Sequence, residues 1–251
     1  MLKHGRSNLV SCKIHPVGLA VANLCNALLW LSHQCLPLRC LVCANPGNDG
    51  LDLCAACYAD LPWNDHACPL CALPLPPDEP AKVCGGCLAE PPRQAGAAAT
   101  FLYAPPIDRL VLRFKFHQDL AAGRLLSQLM LHAVPDFAEY PLLPMPLHGR
   151  RLRERGYDQA RELARPLARE LQLPLWTGLC RSRATLAQST LDADARRQNL
   201  KGAFAVRATP PSRLILVDDV MTTGATLDAA VRALRRSGLQ EATLWVCARA
   251  P

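Results

Sequence analysis

An α/β fold, a mostly parallel sheet covered by helices and preceded by a small cysteine-rich unit, is predicted by three observations. From about residue 95 onward, apolar runs of strand length alternate with amphipathic stretches of helical period. One run, Leu214–Val217, is unbroken, as expected of a parallel strand buried on both faces. Ahead of this region, eight of the 13 cysteines fall into four C-x-x-C pairs between residues 40 and 87, where periodic patterning is weak.

The elements follow in order. Ala98–Tyr103 reads as a strand and Ile107–Phe116 as a short helix. Asp119–His132 is a longer helix with Leu125, Leu126 and Leu129 on one face. Leu142–Met145 is a brief strand between prolines. Asp158–Leu171 is helical, with Ala160, Leu163, Ala164, Leu167 and Leu171 on one face and a kink or break expected at Pro166. The strand Leu214–Val217 leads into a helix over Leu227–Arg236 that stops at Gly238, and Thr243–Ala248 is the last strand. Near the start, residues 17–31 are apolar, with Leu24, Leu28 and Leu31 at helical spacing. That run is short for a bilayer, is interrupted by Asn23 and Asn26 and has no A-x-A cleavage pattern after it. An amphipathic helix docking on the protein is expected there, and no membrane span.

Composition excludes several classes. Half of the 251 residues are hydrophobic and a fifth charged, so global disorder is not expected. The 22 prolines crowd into residues 62–92 and 135–146, which should be turns and linkers. The net charge is +7, and residues 148–207 alone hold 13 Arg or Lys against 6 Asp or Glu. A basic stretch of this kind suits polyanions, and otherwise forms a solvated surface. Arg161, Arg165 and Arg169 repeat every four residues and should line one solvated helix face.

The cysteine pairs are Cys40/Cys43, Cys54/Cys57, Cys68/Cys71 and Cys84/Cys87, separated by ten, ten and 12 residues. A C-x-x-C turn presents two thiolates to one ion, and two turns complete a tetrahedral site. Eight ligands therefore imply two structural zinc ions and a reducing, cytoplasmic setting. Iron–sulfur ligation is the main rival, though its spacings are less regular. Sequential pairing, first with second and third with fourth, needs only short loops; crossed pairing is the alternative. Such ribbons lack a core, so the ions are expected to hold them together. Of the remaining cysteines, Cys247 reads as an apolar filler of the last strand.

The segment Leu214 to Thr226, L-I-L-V-D-D-V-M-T-T-G-A-T, carries the most chemistry. Asp218 and Asp219 emerge at the carboxyl end of a buried strand, where open α/β sheets bind ligands. Adjacent carboxylates are unfavourable to bury without cations or hydroxyl donors. The two vicinal hydroxyls of a ribose are suitable donors, with a magnesium ion close by. Thr222, Thr223, Gly224, Ala225 and Thr226 then open a helix, whose N-terminal N–H groups and threonine hydroxyls form a phosphate cradle. A plain strand–turn–helix would need only an N-cap at Thr223 or Thr226, and accounts for neither the two acids nor the whole T-T-G-A-T run.

This segment resembles the 5-phosphoribosyl-1-pyrophosphate (PRPP) signature of type I phosphoribosyltransferases. Residues 142–160, L-L-P-M-P-L-H-G-R-R-L-R-E-R-G-Y-D-Q-A, extend the resemblance. So do R-x-R-x-T-x-x-Q from Arg181 and R-R-Q-N-L-K-G-A-F from Arg196. With the cysteine pairs in front, the chain is similar to the ComF family of competence-associated proteins. The resemblance implies an N-terminal segment at 1–38, a double zinc ribbon at 39–92 and a type I phosphoribosyltransferase-like parallel sheet flanked by helices at 93–251. It implies that Asp218 and Asp219 hold the ribose hydroxyls and that Thr222–Thr226 hold the 5′-phosphate. The loop around Leu147–Arg155 would approach the pyrophosphate, and Arg181, Arg183 and the stretch to Asn199 would form a flap over it. Arg155, then Arg183, are the expected pyrophosphate contacts. Two departures stand out: Asp158 where the family shows Asn in R-G-F-N-Q, and no glycine in Lys115-Phe116-His117-Gln118-Asp119, where K-F-x-G-D is common.

Three roles follow from the resemblance. One is a protein that binds PRPP with Mg2+ and acts in uptake or processing of single-stranded DNA beside the uptake machinery. Another is an enzyme displacing pyrophosphate from C1 of the ribose, through an oxocarbenium-like transition state, by a nucleobase or other acceptor. In the third, PRPP is an allosteric signal. The ribbon stands in sequence where such enzymes carry the hood that selects the acceptor, without an evident pocket.

Overall fold

The computed structural model describes residues 37–76, 82–182 and 202–250. The helix expected around Leu24–Leu31, and Arg183 with the stretch to Asn199, lie outside the described residues.

The two ribbons come first and repeat one another. Each opens on a C-x-x-C turn followed by an alanine in the left-handed region, Ala44 at φ 64° and Ala72 at φ 54°. The turns close with equivalent hydrogen bonds, Ala44 N–H to Cys40 O at 2.9 Å and Ala72 N–H to Cys68 O at 2.8 Å. Each ribbon ends in a short helix begun by its third cysteine: α1 (Ala55–Ala59) after Cys54 and α2 (Gly85–Ala89) after Cys84.

The chain continues through β1 (Gly96–Leu102), α3 (Ile107–Phe116), α4 (Leu120–Leu131), β2 (Leu142–Pro144), α5 (Gly149–Arg155), α6 (Gln159–Glu170), β3 (Leu179–Arg181), β4 (Phe204–Val206), β5 (Arg213–Met221), α7 (Ala225–Arg236) and β6 (Glu241–Arg249). β1, β6, β5 and β2 form, in that order, a four-stranded sheet that is parallel throughout. β3 and β4 pair separately as an antiparallel ribbon.

Strand alternation divides the interior. Ile215 and Val217 face a cluster with Phe101, Trp245 and the buried stripes of α3, α4 and α6. Leu214 and Leu216 face the other way, toward Leu227, Val231 and Leu234 of α7. The sheet is thus covered on both faces, which is why β5 and β6 lack polar residues over most of their length. Cys247 is fully buried, as a filler should be.

The ribbons are not held by their metal sites alone. Leu51, Leu53 and Leu61 of the first belong to the main core. Arg113 reaches from α3 to Leu41 O at 2.7 Å, and Arg124 from α4 to Asp52 at 2.7 Å. The segments beside the second ribbon close the open edge of β1: Leu102 N–H donates to Pro62 O and Ala97 N–H to Pro69 O, both at 2.8 Å. An edge strand that would otherwise offer unpaired groups is covered.

Helix boundaries follow local chemistry. Asp119 caps α4 by accepting from Ala122 N–H at 3.0 Å, and Asp158 caps α6 by accepting from Arg161 N–H at 3.2 Å. Two expectations change. α6 runs through Pro166 without a break; the residue is half-exposed, and the Glu162 carbonyl goes without its helical donor. β5 does not end at Val217 but runs to Met221, carrying both acids within the ladder.

α3 and α4 meet closely at Gly123, where a Cβ would lie 2.3 Å from Cε2 of the buried Phe114 ring. Gly123→Ala should therefore lower stability by about 1–3 kcal/mol through overpacking, despite alanine's better helix propensity, as measured by urea unfolding. A gain in stability would show that the ring moves aside.

Candidate functional site

The site is built at the carboxyl end of β5. Alternation sends Asp219 toward the face covered by α3 and Asp218 toward that covered by α7. Asp218 is half-buried and Asp219 is 9% exposed. Each carboxylate is pinned by one oxygen. Asp218 Oδ1 accepts from Asp219 N–H at 2.9 Å. Asp219 Oδ1 accepts from Val220 N–H at 2.6 Å and lies 2.8 Å from Lys115 Nζ. Among the described residues, no hydrogen bond reaches Oδ2 of either acid.

The electrostatics follow from this crowding. Burial, and then the Asp219 carboxylate, push the Asp218 carboxyl up to about 8. Burial works most strongly against the Lys115 ammonium, but Asp219, Asp218 and Tyr103 together outweigh it and hold Lys115 above its ordinary value. Asp158 is raised by burial and by Asp219, although Leu147 N–H and Arg161 N–H both donate to it. Its two oxygens accept one N–H each, from Leu147 at 3.2 Å and Arg161 at 3.2 Å. Aspartate at this departure position thus serves both donors and places a third carboxylate near the pair.

The turn after β5 is short and open. Thr222 and Thr223 are exposed, and Gly224 sits at the N-cap of α7 with φ 74°, a conformation that glycine adopts without strain. The cap is therefore at neither Thr223 nor Thr226. Thr223 Oγ1 accepts from Ala225 N–H at 3.4 Å, and the first intrahelical bond runs from Asp228 N–H to Gly224 O at 2.9 Å. As at any helix N-terminus, first-turn N–H groups have no acceptor within the helix, so the turn offers donors and positive potential to an anion.

The arginines of this region fall into three settings. The Leu147–Arg155 loop is largely helix α5, capped by His148, whose Nδ1 accepts from Arg150 N–H at 3.2 Å, and stopped by Gly156 at φ 83°. Arg155 donates to Gln159 Oε1 at 2.8 Å and lies over the Phe116 ring, 5.1 Å from its centroid. Arg181 on β3 lies over Phe204, 5.6 Å from the ring centroid. Burial and then Arg151 hold its guanidinium below the ordinary value, while Asp218 acts in the opposite sense. Arg181 thus stands near enough to Asp218 to interact with it, and Arg151 of α5 near enough to Arg181 to oppose its charge. Arg161, Arg165 and Arg169 are exposed along α6, as their spacing implied.

In the ribbons, Cys40, Cys43, Cys54 and Cys57 form one group and Cys68, Cys71, Cys84 and Cys87 another, with ligand atoms within 4.8 Å of one another in each. Sequential pairing is the arrangement found. Cys43 Sγ to Cys54 Sγ and Cys71 Sγ to Cys84 Sγ are each 3.6 Å. Tetrahedral zinc–thiolate geometry requires about 3.8 Å between sulfurs, and all eight cysteines are free of disulfides, so both groups fit zinc. Burial opposes ionisation of Cys40 and Cys68, but backbone N–H groups aimed at their sulfurs prevail and bring them to about 6 and about 7. Cys54 and Cys84 are the N-caps of the two short helices, and Cys57 and Cys87 lie within them, where burial and the neighbouring cysteines push both thiols up.

The second ribbon stands beside the open turn. A cavity of about 700 Å³ is lined by Cys84, Cys87 and Arg93 and by Thr223, Gly224 and Asp228, with Arg93 Nε 3.1 Å from Asp228 Oδ1. At its base Arg249, 9% exposed, donates from Nε to Cys71 O at 3.1 Å and from Nη1 to Met221 O at 3.3 Å. Sequence reasoning missed Arg249 and gave Lys115 no role. Lys115 opens the K-F-x-G-D-like motif, which marked the residue but not its role, and Arg249 has no such signal; each acquires its partners from another part of the chain. The ribbon, which showed no pocket in sequence, forms one wall of a cleft.

Comparison with known proteins agrees with this arrangement. Residues 31–88 match a double zinc ribbon domain and residues 158–251 a phosphoribosyl transferase domain. Competence protein F of Haemophilus influenzae is 36% identical over 182 residues, covering 68% of this chain and 80% of that protein. DNA utilization protein YhgH of Escherichia coli O157:H7 is 32% identical over 231 residues, covering 85% and 98%. Competence protein ComFC of Streptococcus pneumoniae is 24% identical over 145 residues, covering 57% and 63%. Two ribbons of four cysteines, a phosphoribosyltransferase-type sheet with paired acids at the end of β5, and likeness along almost the whole of YhgH together show that the chain belongs to the ComF family.

Proposed function

We propose that the protein binds PRPP with Mg2+ at the end of β5 and acts in the uptake or processing of single-stranded DNA. One observation carries the reading. Asp218 and Asp219 are each pinned through Oδ1, and Oδ2 of each has no donor among the described residues, directly before an exposed helix N-terminus. Two carboxylate oxygens suit the two vicinal hydroxyls of a ribose, and the turn suits its 5′-phosphate. Mg2+ would accompany the pyrophosphate and offset its charge. Arg181, which interacts with Asp218, and Arg151 beside it are basic groups available to the pyrophosphate; Arg155 and Arg183 are proposed as its contacts from their motifs, Arg183 lying outside the described residues. The names of the relatives and the basic stretch 148–207 support the DNA role, which would rest on backbone phosphates. Eight ordered thiolates suit a reducing compartment such as the cytoplasm, and among the described residues no helix is long and apolar enough to cross a membrane.

A second reading, phosphoribosyl transfer, is favoured by the cleft between the second ribbon and the turn. An acceptor seated there would stand beside the sugar phosphate, held by the hydroxyl contacts and shielded from water. Release of pyrophosphate with one of a panel of bases or nucleic acids would establish turnover; its absence with all of them leaves the binding role alone.

Three outcomes test the binding reading. Asp218→Asn with Asp219→Asn removes two charge-assisted acceptors, each worth about 1.5–3 kcal/mol, so PRPP affinity in calorimetry should fall by about 100-fold or more. A salt-sensitive affinity for single-stranded DNA should survive, and full PRPP affinity in the double variant would refute the assignment. Because Asp218 holds its proton up to about 8 in the free protein, and the ionised acid is the better acceptor, PRPP affinity should be fullest above that pH and decline as pH falls below it. Finally, metal analysis should return two zinc ions per chain, and Cys87→Ser should lose one and keep the other; a single ion in the unaltered chain would contradict the paired sites.

A further inference from the structure

The acids at the end of β5 carry negative charge into a largely enclosed place, and one cation of the chain is built in against them. Lys115 is in the last turn of α3, and its Nζ is 2.8 Å from Asp219 Oδ1, with side-chain exposures of 19% and 12%. It is the only cation ion-paired to either acid among the described residues. Asp219 Oδ1 also accepts from Val220 N–H at 2.6 Å, so two donors from different elements grip one oxygen. That grip fixes the plane of the carboxylate and turns Oδ2 away from both donors. We propose that Lys115 is a positioning residue: its ammonium is the resident counter-cation of the Asp218–Asp219 pair, and it orients Asp219 before any ligand arrives.

The proposal deepens the PRPP reading, on which its ligand-binding consequences rest, but its electrostatic core concerns the free protein. The charged and titratable groups around Lys115 come from every neighbouring element. Asp218 and Asp219 lie on β5, Tyr103 follows β1, Asp158 caps α6 and Cys247 lies on β6. Arg181 and Asp218 act on one another, and Arg151 acts on Arg181. Burial and Asp219 push the Cys247 thiol up, so it stays neutral and supplies no charge of its own. Asp218 and Asp219 thus share the one ion-paired ammonium, and Asp158 adds its repulsion to Asp219. Removing the ammonium leaves repulsion among the acids uncompensated, and their protons are then released only at higher pH.

Two measurements test the proposal, one without PRPP. Carboxyl NMR titration of the ligand-free protein should show the acid pair of Lys115→Met titrating about one unit or more above wild type, with Lys115→Arg close to wild type. In the unaltered protein the Lys115 side-chain resonance should titrate above the ordinary lysine value, which needs no variant. An unshifted pair in Lys115→Met, or an ordinary or lowered Lys115, would overturn the proposal whatever PRPP does. In calorimetry, Lys115→Met should bind PRPP about tenfold more weakly at pH 7, approach wild type above about pH 9, and be rescued by Lys115→Arg. A loss equal at all pH values would mean that Lys115 only supports the fold. Failure of wild type to bind PRPP, with the NMR shift present, would sink the PRPP reading and leave the counter-cation role intact.

Discussion

Everything at the site follows from putting two carboxylates on the end of a strand buried on both faces. Charge in such a place is strongly disfavoured unless it is compensated. The fold compensates in three ways. Backbone N–H groups of β5 itself bind Oδ1 of each acid. Lys115 approaches from α3 on the face to which alternation directs Asp219. Arg181 acts on Asp218 from β3. The compensation is incomplete, because Asp218 remains raised and a third acid, Asp158, stands nearby. A site in this state is suited to a ligand that supplies hydroxyl donors and arrives with its own cation.

The ribbons contribute more than metal binding. They were expected to depend on their ions, yet the first sends Leu51, Leu53 and Leu61 into the main core and the approach to the second covers the edge of β1. Arg249 ties the second ribbon to the end of β5. Its guanidinium is buried between Cys71 O and Met221 O, and burial holds it below its ordinary value against the opposing influence of the neighbouring cysteines. Met221 immediately precedes the phosphate-type turn, so the geometry of that ribbon and of the turn are linked through one side chain. This arrangement also creates the cleft that would admit an acceptor.

Much of the architecture was legible because it rests on local periodicity. Ile107–Phe116 forms the helix its pattern announced, and Asp119 and Asp158 cap helices at the places where short acids precede apolar stripes. The cysteine spacing announced two four-thiolate groups and left sequential and crossed pairing both open; the fold holds the sequential groups, closed by the ten- and 12-residue loops. Helix α5 was read as loop because its seven residues bury none of their side chains, leaving no apolar stripe to detect; only the Arg150–Glu154 pair and Gly156 marked it. Arg155 was assigned by its motif, whereas the fold engages it with Gln159 and the exposed ring of Phe116.

The sequence alone determined the alternation of strands and helices, the eight thiolates in four turns, and the run of two acids and a glycine-containing helix start. Each is encoded in residues close together along the chain, where backbone geometry leaves few options. The tertiary structure decided which cation meets the acids, which arginine meets the second ribbon and where a cleft opens. Lys115 and Asp219 are 104 positions apart, and Arg249 and Cys71 are 178 apart. Such pairings depend on how helices pack on a twisted sheet, and no local pattern records that.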